Sequence, residues 1–159
     1  MKKFALAALL PLFAAACATA APPETAPGPD FLVRNATAKR VLTTPSGLQY
    51  YVVTSGPSTG RSPVDGDTVS FHYEGKLTTG ETFDNSFERG EPLVGGVGDF
   101  VPGFTEALKM MRPGDEWIVW IPPALGYGAE AKGPIPANSV LRFRLQLIGA
   151  TPTAAAGAD

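Results

Sequence analysis

The sequence holds one cysteine, Cys17, and one histidine, His72, among 159 residues. A lone cysteine closes no internal disulfide, and neither residue type is numerous enough for a multi-cysteine or multi-histidine metal site. No metal and no cofactor is therefore expected. Charge is also sparse: 18% of residues are Asp, Glu, Lys or Arg, with a net charge of −2. The Lys and Arg are scattered and offer no basic face for phosphate contacts, which excludes nucleic acid as an expected partner. No internal repeat and no run of heptads occurs, so a dimerising coiled coil is excluded and a monomer is expected. No apolar run reaches the roughly 20 residues that a membrane-spanning helix needs. What remains is 44% apolar residues punctuated by 18 glycines and 16 prolines. That is a single core, about one domain in size and rich in turns.

Residues 1–20 carry Lys2 and Lys3, an apolar stretch over 4–16 broken by Pro11, and then small residues. This is the layout of a secretory signal, absent from the mature protein, and it predicts an exported, periplasm-facing chain. The lone cysteine closes the stretch in Phe13-Ala14-Ala15-Ala16-Cys17-Ala18, which resembles a bacterial lipobox with Ala14 where that pattern prefers Leu. Lipidated Cys17 would carry more than one acyl chain and anchor the protein stably, with the outer membrane the expected site. Cleavage after Ala18-Thr19-Ala20 is the competing reading and gives a soluble periplasmic protein. Removal of Lys2 and Lys3 makes the remainder more acidic, so membrane contact is expected through the lipid alone. Residues 21–42 read as a Pro/Ala-rich linker and short N-terminal segment, with a helical turn over 30–40 that uses Phe31 and Leu32.

A domain is expected over residues 43–149, followed by a flexible tail over 150–159. Period-two patterning predicts strands over 48–53, 68–73, 116–121 and 140–148, the last alternating cleanly between apolar and polar. Val69, Phe71, Trp120, Leu141, Leu145 and Leu147 are expected in the core. His72, between Phe71 and Tyr73, is expected to face solvent or a polar neighbour. Phe104, Ala107, Leu108 and Met111 recur at three- and four-residue spacing and predict one helix over 104–111, closed by Pro113-Gly114. Residues 90–103 and 122–136 read as long loops, which in a compact domain are usually functional or disordered. One helix on an antiparallel sheet is an α+β domain.

Six short motifs then occur in order: Phe71-His72-Tyr73-Glu74-Gly75-Lys76-Leu77, Thr82-Phe83-Asp84-Asn85-Ser86, Phe100-Val101-Pro102-Gly103-Phe104, Leu125-Gly126-Tyr127-Gly128, Ile135-Pro136-Ala137-Asn138-Ser139 and Leu141-Arg142-Phe143. Together they resemble the FKBP-type peptidyl-prolyl isomerases, over about residues 43–149. The resemblance implies a twisted antiparallel β-sheet wrapped around one short α-helix. It also implies isomerisation of X-Pro bonds in proline-containing polypeptides folding in the envelope, with macrolides as possible inhibitors. Tyr73, Phe83, Val101, Phe104, Tyr127 and Phe143 would line an apolar pocket for the prolyl ring, with Phe100 beside them. Asp84 would be the polar group at the rim, held by Arg89. The Tyr127 hydroxyl and the Val101 N–H would grip peptide carbonyls, and Ile135 would cover the open side. Tyr73, Phe83, Asp84 and Tyr127 are the implied catalytic residues. Three departures stand out: Phe104 replaces the tryptophan that floors the pocket in many members, Leu93 and Gly95 stand where eukaryotic members carry aromatics, and the loop before Ile135, Ala131-Lys132-Gly133-Pro134, is shorter by about one residue. A catalytically weak module that holds proline-containing chains is the alternative. Hydrolase chemistry needs a base beside a nucleophile, and the sequence shows no nucleophile elbow.

Overall fold

The computed structural model describes residues 29–152. The signal segment with Cys17, residues 21–28 of the linker and residues 153–159 of the tail lie outside the described residues. The chain runs α1 (Pro29–Ala36), β1 (Leu42–Thr43), β2 (Gln49–Thr54), β3 (Thr68–Leu77), β4 (Thr82–Asn85), α2 (Ser86–Arg89), β5 (Leu93–Gly96), α3 (Pro102–Met110), β6 (Glu116–Ile121) and β7 (Leu141–Thr151). All strands join one antiparallel sheet in the order β1-β2-β6-β7-β3-β4, with β5 also paired to β3.

The ten-residue β3 alternates without a break: Val69, Phe71, Tyr73, Gly75 and Leu77 face inward. β7 lies beside it in register, pairing Tyr73 with Leu145 and Gly75 with Phe143, so both strands present their apolar residues to one side. Strand pleating then creates one apolar face, and α3 covers it. Pro102 opens that helix at its first turn, where a missing N–H costs nothing. The helix therefore starts two residues before the expected 104. Its second residue, Gly103, lies so close to β6 that a Cβ there would meet Ile121 Cγ2 at 2.6 Å and Leu125 Cβ at 3.1 Å. Phe104, Ala107 and Leu108 are buried under it.

The sheet corrects one core assignment. In β6 the inward residues are Trp117, Val119 and Ile121, while Trp120 is only half-buried on the opposite face. Glu116-Trp117-Ile118-Val119-Trp120-Ile121 is apolar at both parities, so alternation in the sequence cannot choose the face; the register with Leu145 and Arg142 on β7 does.

The expected loop over 90–103 contains β5 and a 3-10 turn at Val97–Asp99, and the loop over 122–136 contains a 3-10 turn at Pro123–Leu125. A second helix, the single turn α2, joins the one that was expected inside the domain. β7 runs to Thr151, two residues past the expected domain end. At the other end α1 stops at Ala36 rather than 40, where Thr37 Oγ1 donates to the Arg34 carbonyl at 2.7 Å. The helix is tied to the sheet: Asn35 Nδ2 donates to Gln49 Oε1 and Gln49 Nε2 donates to the Leu32 carbonyl, both at 2.8 Å. Among the described residues no helix is long and apolar enough to cross a membrane.

Candidate active site

The site begins with a missing side chain. Gly75 on β3 pairs with Asp84 on β4 and with Phe143 on β7. A Cβ at Gly75 would lie 2.5 and 2.6 Å from ring atoms of Phe83 and 2.9 Å from Phe143. The glycine thus lets two rings meet over the strand, edge to face with centroids 5.6 Å apart and planes at 88°. Phe143 in turn meets Phe104 of α3 at 5.1 Å and 88°, and Phe104 meets Tyr73 at 6.3 Å and 88°. Edge-to-face contacts set a positive ring edge against a negative face and fix each ring's orientation. Gly75→Ala is expected to overpack this cluster and cost about 1–3 kcal/mol, read as a lower urea midpoint with an unchanged slope.

These rings line an open cavity of about 380 Å³, together with Asp84, Leu93, Asp99, Phe100, Val101, Tyr127 and Lys132. Eight of the ten expected domain residues therefore surround one hollow: Tyr73, Phe83, Asp84, Phe100, Val101, Phe104, Tyr127 and Phe143. The other two stand elsewhere. Arg89 lies behind Asp84 and reaches the cavity through it. Ile135 does not cover the open side; it is 5% exposed and packed into the core. Reciprocal backbone hydrogen bonds of 2.9 Å between Ile135 and Lys132 turn the chain there, so Lys132 takes the place at the cavity.

The rim carries a connected polar group. Tyr73 Oη donates to Asp84 Oδ2, Arg89 Nη1 donates to Asp84 Oδ1, and Arg89 Nη2 donates to Tyr73 Oη at 3.1 Å. One helical turn delivers the guanidinium: Asn85 Oδ1 caps α2 by accepting the Phe87 N–H at 3.0 Å, and Gly90 closes it at φ 73°, a conformation that favours glycine. Partial burial opposes the Asp84 charge. The hydrogen bonds from Tyr73 and Arg89, with the guanidinium charge, outweigh that and hold the carboxyl below the ordinary aspartate value. Burial first, then the bond to Asp84, pushes the Tyr73 phenol above its ordinary value. At neutral pH the rim is one carboxylate, one phenol and one guanidinium.

Two donors on cavity-lining residues have no protein acceptor among the described residues. The Val101 carbonyl accepts from Phe104 N at 2.9 Å and Thr105 N at 3.1 Å, but its own N–H is given to none. The Tyr127 hydroxyl is likewise unpaired, on a side chain 36% exposed. His72 has a polar neighbour: its Nδ1 lies 3.1 Å from Ser86 Oγ, and its ring stacks on Phe87 at 4.9 Å. This serine–histidine contact is no nucleophile. Ser86 is fully buried and its Oγ accepts the Tyr73 N–H at 2.8 Å.

Sequence reasoning noted Leu93 as part of a thinner wall but missed Asp99 and Lys132 as cavity residues. For Asp99 a signal existed in the glycine-rich 95–98 stretch, since an aspartate after it caps the turn by accepting the Gly96 N–H at 2.8 Å. Lys132 lies in the shortened loop before Ile135, whose departure in length is the one sequence signal there.

The site is thus an aromatic hollow with Asp84 held at its rim, two unspent donors among its lining residues, and a neighbouring serine that is buried and hydrogen-bonded. Comparison with known proteins gives the family. The model of the FKBP-type peptidyl-prolyl cis-trans isomerases matches residues 59–148. The chain is 41% identical over 130 residues to FKBP-type peptidyl-prolyl cis-trans isomerase FkpA of Aeromonas hydrophila, covering 82% of this chain and 48% of that protein. It is 40% identical over 124 residues to outer membrane protein MIP of Legionella longbeachae, covering 77% and 52%. The crystal structure of FkpA from Escherichia coli superposes with a TM-score of 0.73 at 41% identity, over 77% of this chain and 57% of that one. The chain belongs to the FKBP-type peptidyl-prolyl cis-trans isomerase family. It spans about half the length of the curated relatives it matches.

Proposed function

We propose that this domain accelerates cis–trans isomerisation of X-Pro bonds in polypeptides folding in the bacterial envelope. The observation that carries the reading is the cluster of Tyr73, Phe83, Phe104 and Phe143 rings lining one hollow together with Val101 and Tyr127, whose N–H and hydroxyl have no acceptor among the described residues. The barrier to be lowered comes from amide resonance, roughly 18–20 kcal/mol. Only a site that binds the twisted amide better than both planar isomers lowers it. Twisting removes charge separation between the carbonyl oxygen and nitrogen, so an apolar hollow that excludes water disfavours the planar forms relative to the twisted one. Val101 and Tyr127 hold flanking carbonyls and keep the chain bent, while Phe100 walls the hollow. Arg89 and Tyr73 keep Asp84 ionised and in place at the rim. Macrolide inhibitors would compete for the same hollow, against a wall thinned at Leu93 and Gly95. Because one chain supplies every wall, the domain is proposed to act as a monomer.

A proline-limited refolding reaction tests the reading. Wild type at catalytic concentration should speed the slow phase in proportion to its concentration, and Phe83→Ala should lose most of that effect. Equal rates for the two proteins would remove Phe83 from the site; an inactive wild type that suppresses aggregation would make the domain a holding module instead. Activity should also be flat from about pH 5 to 9, since Asp84 stays ionised and Tyr73 protonated there. The folded value of Asp84 is depressed, so the rim's stabilisation is present above the unfolded value of about 3.9 and fades as pH falls through the lower folded value. A pH profile of kcat/KM reads this; a bell centred near neutrality contradicts it.

For localisation, export followed by lipid anchoring of Cys17 in the outer membrane is proposed, with a soluble periplasmic form as the alternative. It is supported by the signal-like residues 1–20 and by a relative named as an outer membrane protein. Cells grown with labelled palmitate should yield a labelled protein, and Cys17→Ala should yield none. Label retained by the variant would place the lipid elsewhere.

A further inference from the structure

β5 is an edge strand whose exposed side is closed at both ends and open in the middle. Among the described residues it pairs only with β3, matching Thr68 with Gly96, Val69 with Gly95, Ser70 with Val94 and Phe71 with Leu93. The Val97 N–H donates to the Asp67 carbonyl at 2.9 Å, which sets Asp67–Val97 at a hydrogen-bonded position of the ladder, although the Asp67 N–H itself turns to the Val64 carbonyl at 3.0 Å. In an antiparallel ladder such pairs alternate, so Gly95 and Leu93 also bond toward β3 while Gly96, Val94 and Pro92 point their backbone groups away. The Gly96 N–H bears this out, since it is taken from outside by Asp99 Oδ2 at 2.8 Å. Pro92 has no N–H to give. Both devices blunt an edge against promiscuous pairing. Between them Val94 keeps an outward N–H and C=O with no partner among the described residues, beneath a side chain 62% exposed.

This opening adjoins the cavity. Leu93 lines the hollow, and the Cβ direction of Gly95 points at the Phe100 ring, 3.2 Å away, so the Leu93–Gly95 face of β5 is the cavity face. A strand added to the edge would run about 4.8 Å beyond β5. The residue that exchanges both hydrogen bonds with Val94 would turn its side chain away from the hollow, and its chain neighbours would turn theirs toward it.

We propose that Val94 is a docking point for the client chain itself: an extended segment pairs with Val94 as a one-residue strand addition, and the proline next to the paired residue enters the hollow. This rests on the isomerase reading and adds a second contact to it. It makes a free N–H beside the proline a requirement, because the paired residue must donate to the Val94 carbonyl. The occupant follows from continuity with the cavity. A second copy of this chain is the rival occupant.

Amide hydrogen exchange on the wild-type protein tests the pairing directly, with reduced, carboxymethylated ribonuclease T1 as the unfolded client. At saturation the Val94 N–H should exchange at least tenfold more slowly, with Gly98 unchanged. Val94→Pro removes the donor at a position where the N–H faces outward, a place edge strands tolerate proline. Because the paired residue is the proline's own neighbour, kcat/KM should fall about five- to tenfold in this variant both on the unfolded client and on a short Ala-Leu-Pro-Phe peptide, the scale of one lost hydrogen bond. Unchanged Val94 exchange at saturation overturns the proposal, as does a Val94→Pro variant with unchanged kcat/KM on both substrates. Concentration-dependent dimerisation abolished by Val94→Pro overturns it in favour of the second copy. A wild type inactive on both substrates overturns the isomerase reading, and this proposal falls with it.

Discussion

Phe104→Ala is expected to lower the stability of the domain by about 3–5 kcal/mol, the range for removing a fully packed phenylalanine. Phe104 is 5% exposed. Its ring lies 5.1 Å from those of Phe100 and Phe143, 5.2 Å from Phe71 and 6.3 Å from Tyr73, so it joins the single long helix of the core to the centre of the sheet. No neighbour can slide in to fill the void: Phe71 is wholly buried beneath it, and Gly103 already holds the helix against Ile121. Part of the lost volume would merge with the cavity and fill with water. The melting midpoint should drop on the order of 10–20 °C. Phe104→Leu keeps most of the volume and should cost well under half as much. Urea unfolding of the three proteins decides the matter, and a loss below 1 kcal/mol for the alanine variant would show that the ring is not the keystone of the fold.

Asp84→Val separates catalysis from stability. Its carboxylate is 39% exposed on the side-chain scale, so its ion pair with Arg89 is largely screened by water and adds little to folding. Its function is local: it accepts from both Tyr73 and Arg89 and keeps the phenol aimed at the rim. Without it, Tyr73 Oη and the Arg89 guanidinium lose the acceptor they share at the rim. Hydrogen bonds to charged groups contribute about 1.5–3 kcal/mol, so kcat/KM should fall about 10- to 100-fold. The unfolding free energy should move by less than about 1 kcal/mol. Tyr73→Phe, which keeps the ring but removes one donor to Asp84, should lose less activity. An Asp84 variant as active as wild type would leave the rim without a catalytic part.

How much of this was legible in the sequence depends on what held each element in place. β3, β7 and α3 carry their own instructions. Alternation from Val69 to Tyr73 and from Leu141 to Leu147 marks one buried face, and Phe104, Ala107 and Leu108 mark one helix stripe; β3 runs on to Leu77, past the expected 73, because Gly75 interrupts the side-chain pattern. β5 does not: two of its four residues are glycines, and only its pairing with β3 makes it a strand. β4 and α2 are four residues each, too short for any period to show. Trp120 was misplaced because β6 is apolar on both faces, and only its neighbours decide which tryptophan goes inside. The site residues lie far apart in sequence and meet through the register that sets Gly75 opposite both Asp84 and Phe143. No local pattern encodes that meeting; the ordered motifs shared with a family did. Those motifs could not tell Ile135 from Lys132, since which of them faces the cavity is set by the tight backbone turn between them.

The central claim is that the aromatic hollow turns prolyl bonds over without covalent help. Exchange NMR on a peptide with a single X-Pro bond measures this at equilibrium, where no folding or aggregation intervenes. Uncatalysed, the two isomers interconvert over tens of seconds and show no exchange cross-peaks on a sub-second mixing time. With a few per cent of the wild-type domain, cross-peaks should appear and grow in proportion to protein concentration, and they should collapse with Asp84→Val. Isomers that stay in slow exchange at every wild-type concentration, while the peptide still binds in the hollow, would contradict the account.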